Sequence, residues 1–350
     1  MKNFWAELPK PFFALAPLAN VTDAAFRRLI AKYSKLGHRV SKFVMYTEFV
    51  SADGLCLAVE EGRAKLMRDL VFSDAERPIV AQFFTSTPEH MEKAAALAQK
   101  LGFDGVDINM GCPDKTIEKQ NAGAKLILNP ERAQELIAAA KRGVPNLPVS
   151  VKTRLGYNKD ILEEWLPALL AAEPAAVVIH ARTRKEMSKV PACWERIKRA
   201  VEIRDECQGL TLQRTLIIGN GDLKDLEDAE QKIKETGADG AMLGRAIFGR
   251  PWLFAETGKA EIPFSGEINT TPTPPKETSA LPEKRLRVMV EHTKLFEKLL
   301  GDVKSFAIMK KHFKAYCEGF PGAKELRIKL MEAENAAEIE RVIEEFLKGE

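Results

Sequence analysis

No uninterrupted apolar run in this sequence approaches the roughly 20 residues that a membrane-crossing helix needs. The opening MKNFWAELPKPFFALAP lacks a long apolar core followed by a small-residue cleavage site. Neither a membrane span nor secretion is therefore expected. Cysteine is scarce: five residues, Cys56, Cys112, Cys193, Cys207 and Cys317, with no C-x-x-C pair and no histidine at zinc-ligand spacing. This scatter argues against a disulfide framework and a structural metal site, and a reducing cytoplasm is the expected compartment. Net charge is only +3, which by itself indicates no nucleic-acid partner. Missing too is a Gly-rich dinucleotide fingerprint after the first apolar run, where the chain reads LAPLANVTD.

What remains is ample material for a core. With 350 residues, 45% of them hydrophobic, the chain fits one large domain and a smaller one. Eight short apolar or β-branched runs recur: 12–17, 43–49, 79–84, 105–111, 149–156, 176–182, 215–221 and 240–245. Apolar on both faces, they suit a parallel sheet covered by helices. Helix signals fall between them. Thr22-Asp23 caps AAFRRLIAKY, Thr87-Pro88 opens a helix stopping at Gly102, and Asn129-Pro130 opens one stopping at Gly143. Strand and helix alternating eight times over about 250 residues predicts an α/β fold of the (β/α)8 TIM-barrel type.

Beyond RPWLFAE the composition turns to Pro, Thr and Gly without periodicity, the texture of a linker. The expected division is a barrel over 1–257, a linker over 258–282 and a small helical bundle over 283–350. Charge is unevenly spread there. Lys284 to Lys329 holds 12 Lys/Arg against 5 Asp/Glu, whereas Met331 to Glu350 holds 2 against 7. The basic stretch is either a solvated helical surface or a footprint for a polyanion.

Polar groups at the C-terminal ends of barrel strands face one shared mouth. Those ends offer Pro17, Glu48, Gln82, Asn109 with Cys112, Lys152 with Arg154, His180 with Arg182, Asn220 with Asp222, and Gly244 with Arg245. The last two runs end in GNGD and LGRA, each read as the start of a helix. There Gly221 and Gly244 would let backbone N–H groups approach a phosphate that Arg245 pairs. Lys152 would point into the mouth, where it needs either a carboxylate or an electron-accepting ring that becomes anionic on reduction. His180 could donate to the carbonyl edge of such a ring. Cys112, between Gly111 and Pro113, leaves the fourth run toward the mouth, and two chemistries are open to it: thiolate nucleophile or proton donor.

At this point the residues resemble the tRNA-dihydrouridine synthases. LAPLANVTDAAFR is similar to that family's opening segment, DINMGCPDK to its catalytic-cysteine motif and VKTRLG to its flavin-lysine segment. IHARTR is similar to its histidine strand, IIGNGD and LGRA to its flavin-phosphate segments, and MKKHFKAYCEGFPGAKELR to its C-terminal tRNA-binding domain. The chain departs from the pattern at Asn20, where glycine is usual, and after IHARTR, where a Tyr-x-Gly pattern is absent.

The resemblance implies an FMN enzyme that takes hydride from NADPH and delivers it to C6 of a tRNA uridine, with Cys112 protonating C5. It implies FMN contacts from Pro17, Leu18, Ala19, Gln82, Lys152, His180, Asn220, Gly221, Asp222, Gly244 and Arg245. Asn109, Arg154 and Arg182 would lie near the uracil or its phosphates. Lys310, Lys311, His312 and Lys314 would meet the tRNA backbone, with Lys115, Lys119 and Lys125 as further candidates. An FMN oxidoreductase of a free pyrimidine is the competing expectation, though it leaves the basic C-terminal stretch unused. No metal is expected, a monomer is the default state, and the uridine position is not legible.

Overall fold

Every apolar run of the first 250 residues becomes parallel strand in the computed structural model, which describes residues 3–34, 43–209, 214–255 and 280–349. The strands are β1 (Phe12–Leu15), β2 (Met45–Tyr46), β3 (Val50–Ser51), β4 (Ile79–Phe84), β5 (Gly105–Asn109), β6 (Val149–Arg154), β7 (Ala176–His180), β8 (Leu216–Asn220) and β9 (Gly240–Leu243). The helices are α1 (Ala24–Ser34), α2 (Ala52–Leu57), α3 (Glu60–Asp69), α4 (Pro88–Leu101), α5 (Lys115–Glu118), α6 (Pro130–Gly143) and α7 (Leu162–Ala171). They continue with α8 (Glu195–Gln208), α9 (Leu226–Thr236), α10 (Ala280–Leu300), α11 (Lys310–Tyr316), α12 (Ala323–Glu332) and α13 (Ala336–Lys348).

Sheet order is β1-β9-β8-β7-β6-β5-β4-β2 with all pairings parallel. A parallel bridge from Ala14 to Val44 joins the two ends. There the Leu15 N–H donates to the Val44 carbonyl at 2.8 Å and the Val44 N–H to the Phe13 carbonyl at 3.0 Å. The sheet is thus a closed (β/α)8 barrel. Its second run, 43–49, is strand only at β2, and β3 follows just past the end of the run; both pair with β4, so nine strands stand where eight runs were read. Alternate residues Phe12, Ala14, Tyr46, Val80, Val178, Ile218 and Met242 pack as one buried cluster, the pattern a barrel filled by side chains requires. At the N-terminal ends of β8 and β9, Arg204 and Lys10 both pair with Asp239, at 2.8 and 2.6 Å. The Ile217 N–H adds a third bond to that carboxylate at 2.9 Å.

The chain divides into two compact units, Met1–Ala19 with Lys42–Arg245, and Asn20–Ser41 with Ala246–Glu350. Segment Asn20–Ser41, read in sequence as part of the barrel, thus groups with the C-terminal helices. The linker expected over 258–282 lies, up to residue 279, outside the described residues. Within the second unit α1 packs on α10, where Glu291 accepts from Lys32 at 2.7 Å and from the Tyr33 hydroxyl at 2.6 Å. The Phe26 ring sits 4.7 Å from His292 and 4.8 Å from His312.

That packing corrects one expectation. His312, read as a backbone-phosphate contact because lysines flank it, is fully buried and unable to reach a phosphate. Lys311 and Lys314 are exposed and Lys310 is half-buried. Among the described residues no helix is long and apolar enough to cross a membrane. Nor does any group of three or more His, Cys, Asp or Glu among them suit a metal ion.

Candidate active site

Strand ends converge because each β-to-α connection leaves the same rim. A cavity of about 350 Å³ opens there, within the roughly 300–1,000 Å³ range of small-molecule sites. It brings together Pro17, Leu18, Ala19, Asn109, Cys112, Lys152, Arg154, His180, Arg182, Asn220, Gly221, Asp222, Gly244 and Arg245. Gln82 does not line it. Its side chain is fully buried and is bonded to Asp107 and Asn109 instead. Glu48 is buried and outside the lining as well, while its neighbour Phe49 lines the wall. Phe49, Met187 and Ser188 were not singled out in sequence. Phe49 was open to notice, since it closes the second apolar run, but the two loop residues carry no such signal.

The Cys112 turn is held from several sides. Asn109 Oδ1 accepts the N–H groups of Gly111 at 3.1 Å and Cys112 at 2.9 Å. Arg154 Nε donates to the Gly111 carbonyl at 2.7 Å, and the Cys112 carbonyl accepts the Ala124 N–H at 2.9 Å. Gly123 makes that last approach possible. Its φ is +61°, and a Cβ there would stand 2.8 Å from the Cys112 carbonyl oxygen. The thiol packs with Phe49 against Phe84, Ile117 and Ala122. Burial in this apolar patch raises its pKa, aided by the Asp114 charge and opposed by a backbone hydrogen bond, Arg154 and Lys152. It is a protonated thiol at neutral pH, which favours proton donation over thiolate attack.

Four cations line the cavity beside the carboxylate of Asp222. Asp222 pairs with Arg182 through one oxygen and with Arg245 through the other at 2.6 Å, and Arg182 above all lowers its pKa. Lys152 Nζ donates to Asn220 Oδ1 at 3.2 Å, and Asn220 donates to the Met242 carbonyl at 2.8 Å. Desolvation, then the Arg154 charge, bring Lys152 down to about 8. Desolvation and the surrounding cations lower His180 far below the usual imidazole range, leaving it neutral. Arg182 Nη1 lies 3.1 Å from His180 Nε2. A guanidinium can only donate, so Nε2 accepts and the proton sits on Nδ1.

The expected helix support for a phosphate is weaker than the sequence implied. Arg245 opens a three-residue 3-10 turn, Arg245–Ile247, and Gly221 precedes α9 by five positions. Helix-dipole effects fade within the first turn. The glycine still matters for access. At φ +131° a Cβ on Gly221 would come 2.8 Å from Ala192 and 3.2 Å from the His180 ring.

A closed parallel barrel whose strand ends gather lysine, arginine, a neutral histidine and a protonated thiol is the frame of a flavin-dependent oxidoreductase. Comparison narrows the class. The family model for dihydrouridine synthase matches residues 14–349. A probable tRNA-dihydrouridine synthase of Staphylococcus aureus (strain COL) is 37% identical over 347 residues, covering 99% of this chain and 96% of its own. A probable tRNA-dihydrouridine synthase 2 of Bacillus subtilis (strain 168) is 36% identical over 347 residues, covering 99% of this chain and 97% of its own. The chain belongs to the dihydrouridine synthase family. Among solved structures, histamine dehydrogenase from Rhizobium sp. 4-9 shares the fold, with a TM-score of 0.50 and 12% identity over 69% of this chain and 44% of that one.

Proposed function

We propose that this protein reduces a uridine of tRNA to dihydrouridine in the cytoplasm, with FMN as its bound flavin, NADPH as electron donor and Cys112 as the acid. The observation that carries the reading is the Cys112 thiol packed on an apolar patch in the same cavity as four cations, where burial raises its pKa. The cavity fits a flavin mononucleotide on its own chemistry. Lys152 is half-buried and donates to a neutral amide, that of Asn220; the Asp107 charge supports it only in part against burial and Arg154, and an anionic ligand edge would complete the balance. Arg245, 66% exposed in its side chain and paired with Asp222, would exchange part of that pairing for a phosphate that Gly221 and Gly244 leave room to approach.

Held by these residues, FMN would supply the hydride chemistry, from NADPH to C6 of the uracil. The chain's own residues do the rest. Pro17, Leu18 and Ala19 form a wall, Lys152 balances negative charge, and His180 offers its Nδ1–H to a carbonyl edge. Asn220, Gly221, Asp222, Gly244 and Arg245 surround the phosphate end, and Gln82 supports the assembly from below through Asn109. Arg154 and Arg182 hold the nucleotide, and Cys112 gives its proton to C5, where hydride addition leaves enolate character. A uridine must leave its stack to reach a recessed mouth. The tRNA backbone is met by Lys310, Lys311 and Lys314 of the helical unit and by Lys115, Lys119 and Lys125 of the barrel.

The test is anaerobic. Purified protein is reduced with NADPH, unmodified tRNA is added, and the return of the oxidised flavin absorbance is followed. Reoxidation that requires tRNA is expected. Reduced flavin that persists with unmodified and with modified tRNA, but is reoxidised by a free pyrimidine, would move the reading to small-molecule reduction.

A further inference from the structure

We propose that Asp107 is a positioning residue for the Cys112 turn, acting through the side-chain amides of Gln82 and Asn109. The proposal rests on the reading of Cys112 as proton donor and adds what fixes that donor in place. Strand register assembles the parts: Gln82 of β4 stands opposite Asp107 of β5, and Asp107 opposite Ser150 of β6. Two residues further along β5, on the same face, Asn109 meets the turn.

The hydrogen bonds run in one direction. Backbone N–H groups only donate, so the two from Gly111 and Cys112 require the oxygen of Asn109, at 3.1 and 2.9 Å. That leaves the Asn109 NH2 facing Gln82, which must answer with its own oxygen, at 3.0 Å. The Gln82 NH2 is then turned to the far side, where only an acceptor satisfies it, and Asp107 Oδ2 accepts it at 2.7 Å. The other Asp107 oxygen is occupied by the Ser150 hydroxyl at 2.6 Å. Gln82 and Asp107 are fully buried and Asn109 is 7% exposed, so water offers no substitute partner. Reversing either amide sets donor against donor and acceptor against acceptor. The carboxylate at one end and the two N–H groups of the turn at the other therefore agree on how both amides point, and the carboxylate anchors through them where the Cys112 turn sits.

This logic separates two substitutions at one position. In Asp107→Asn the carbonyl still accepts from Gln82, the new NH2 donates to the Ser150 hydroxyl, and that hydroxyl turns to the Val106 carbonyl, 3.4 Å away. The polarity of the chain survives. In Asp107→Leu, similar in size but without an acceptor, the buried Gln82 NH2 loses its partner and Gln82 is held from the Asn109 side alone.

The experiment compares these two with wild type and with Gln82→Met, which cuts the chain one link later and serves if Asp107→Leu does not fold. The first readout needs no turnover: iodoacetamide alkylation of Cys112 against pH, read on the peptide that carries it. Asp107→Asn is expected to follow wild type, and Asp107→Leu and Gln82→Met to show a displaced profile. The second compares half-reactions. In Asp107→Leu, flavin content and reduction by NADPH are expected to stay within about twofold, while reoxidation by tRNA falls roughly tenfold or more, as a misplaced reacting group demands. A wild-type alkylation profile in Asp107→Leu or Gln82→Met overturns the proposal, as does equal loss in both half-reactions or an Asp107→Asn no better than Asp107→Leu. Should wild type itself fail to pass electrons to tRNA, the functional reading falls, and the alkylation profiles still decide the positioning role.

Discussion

Burial drives Cys112 and Lys152 in the same direction, toward their neutral forms, and the consequences differ. For the thiol, desolvation strengthens the hold on the proton it is proposed to give. Cys112→Ala is therefore expected to bind flavin and accept electrons from NADPH as wild type does, but to lose about 10²–10⁴ in the rate of reoxidation by tRNA. Stopped-flow absorbance resolves the two steps, and a wild-type second step would remove Cys112 from its role. For the lysine, the positive charge is present below about 8 and is lost as pH rises through that value. A bound anion favours the charged form. FMN affinity, followed by quenching of flavin fluorescence, should weaken above pH 8 by roughly tenfold per unit at most. In Lys152→Met it should be weaker throughout and flat across that window.

Secondary-structure elements show what could be read from the chain and what could not. Signals that act locally were legible. Asp23 caps α1 by accepting the Phe26 N–H at 3.0 Å, and Asn129 caps α6 by accepting the Arg132 N–H at 3.0 Å. Asn20, standing where the family pattern has glycine, takes φ +54°, a conformation asparagine tolerates. Signals set by distant partners were harder to interpret. Gly143 ends α6 as its helix-stop signal implied, but it also allows a close approach that the sequence does not reveal, since a Cβ there would stand 2.3 Å from the Glu92 carbonyl of α4. Asp107, in the middle of an apolar strand, carried a signal that went unused: β-alternation puts it on the same face as Asn109.

His312 was read by its charged neighbours, although its spacing with Met309, Phe313 and Tyr316 is that of an inward helix face. Its burial makes α10 and α11 sensitive to acid. His292 and His312 lie 4.6 Å apart, and among the described residues neither nitrogen of His312 has a hydrogen-bond partner. Desolvation lowers both pKa values, that of His312 to about 3. The unfolded chain thus binds protons that the folded one refuses below about 6.5. Stability is fully present above that pH and is lost as pH falls toward 3. His312→Leu should remove part of this dependence. The difference between wild type and variant at pH 5, relative to pH 7.5, is expected near 2 kcal/mol, measured by thermal melts. Parallel curves would show that the histidine is not the acid-sensitive group.

The path of the chain constrains how substrate recognition can be dissected. It enters the helical unit at Asn20, goes back to the barrel and re-enters at Ala246, so removing residues 283–350 would strip α1 of α10 and uncover Phe26, which packs on His292 and His312. Loss of activity after such a truncation would not separate RNA binding from folding. Surface charge can be changed without that cost, since Lys311 and Lys314 are exposed. If both meet phosphates, Lys311→Ala/Lys314→Ala should raise KM for tRNA roughly tenfold at moderate salt and leave reduction by NADPH unchanged. The slope of log affinity against log salt should fall by about 2, one for each phosphate no longer neutralised. An unchanged slope would place the RNA elsewhere, with Lys115, Lys119 and Lys125 the next residues to neutralise. A lowered slope with unchanged kcat would tie the basic stretch to the substrate, the feature that a reductase of free pyrimidines leaves without a use.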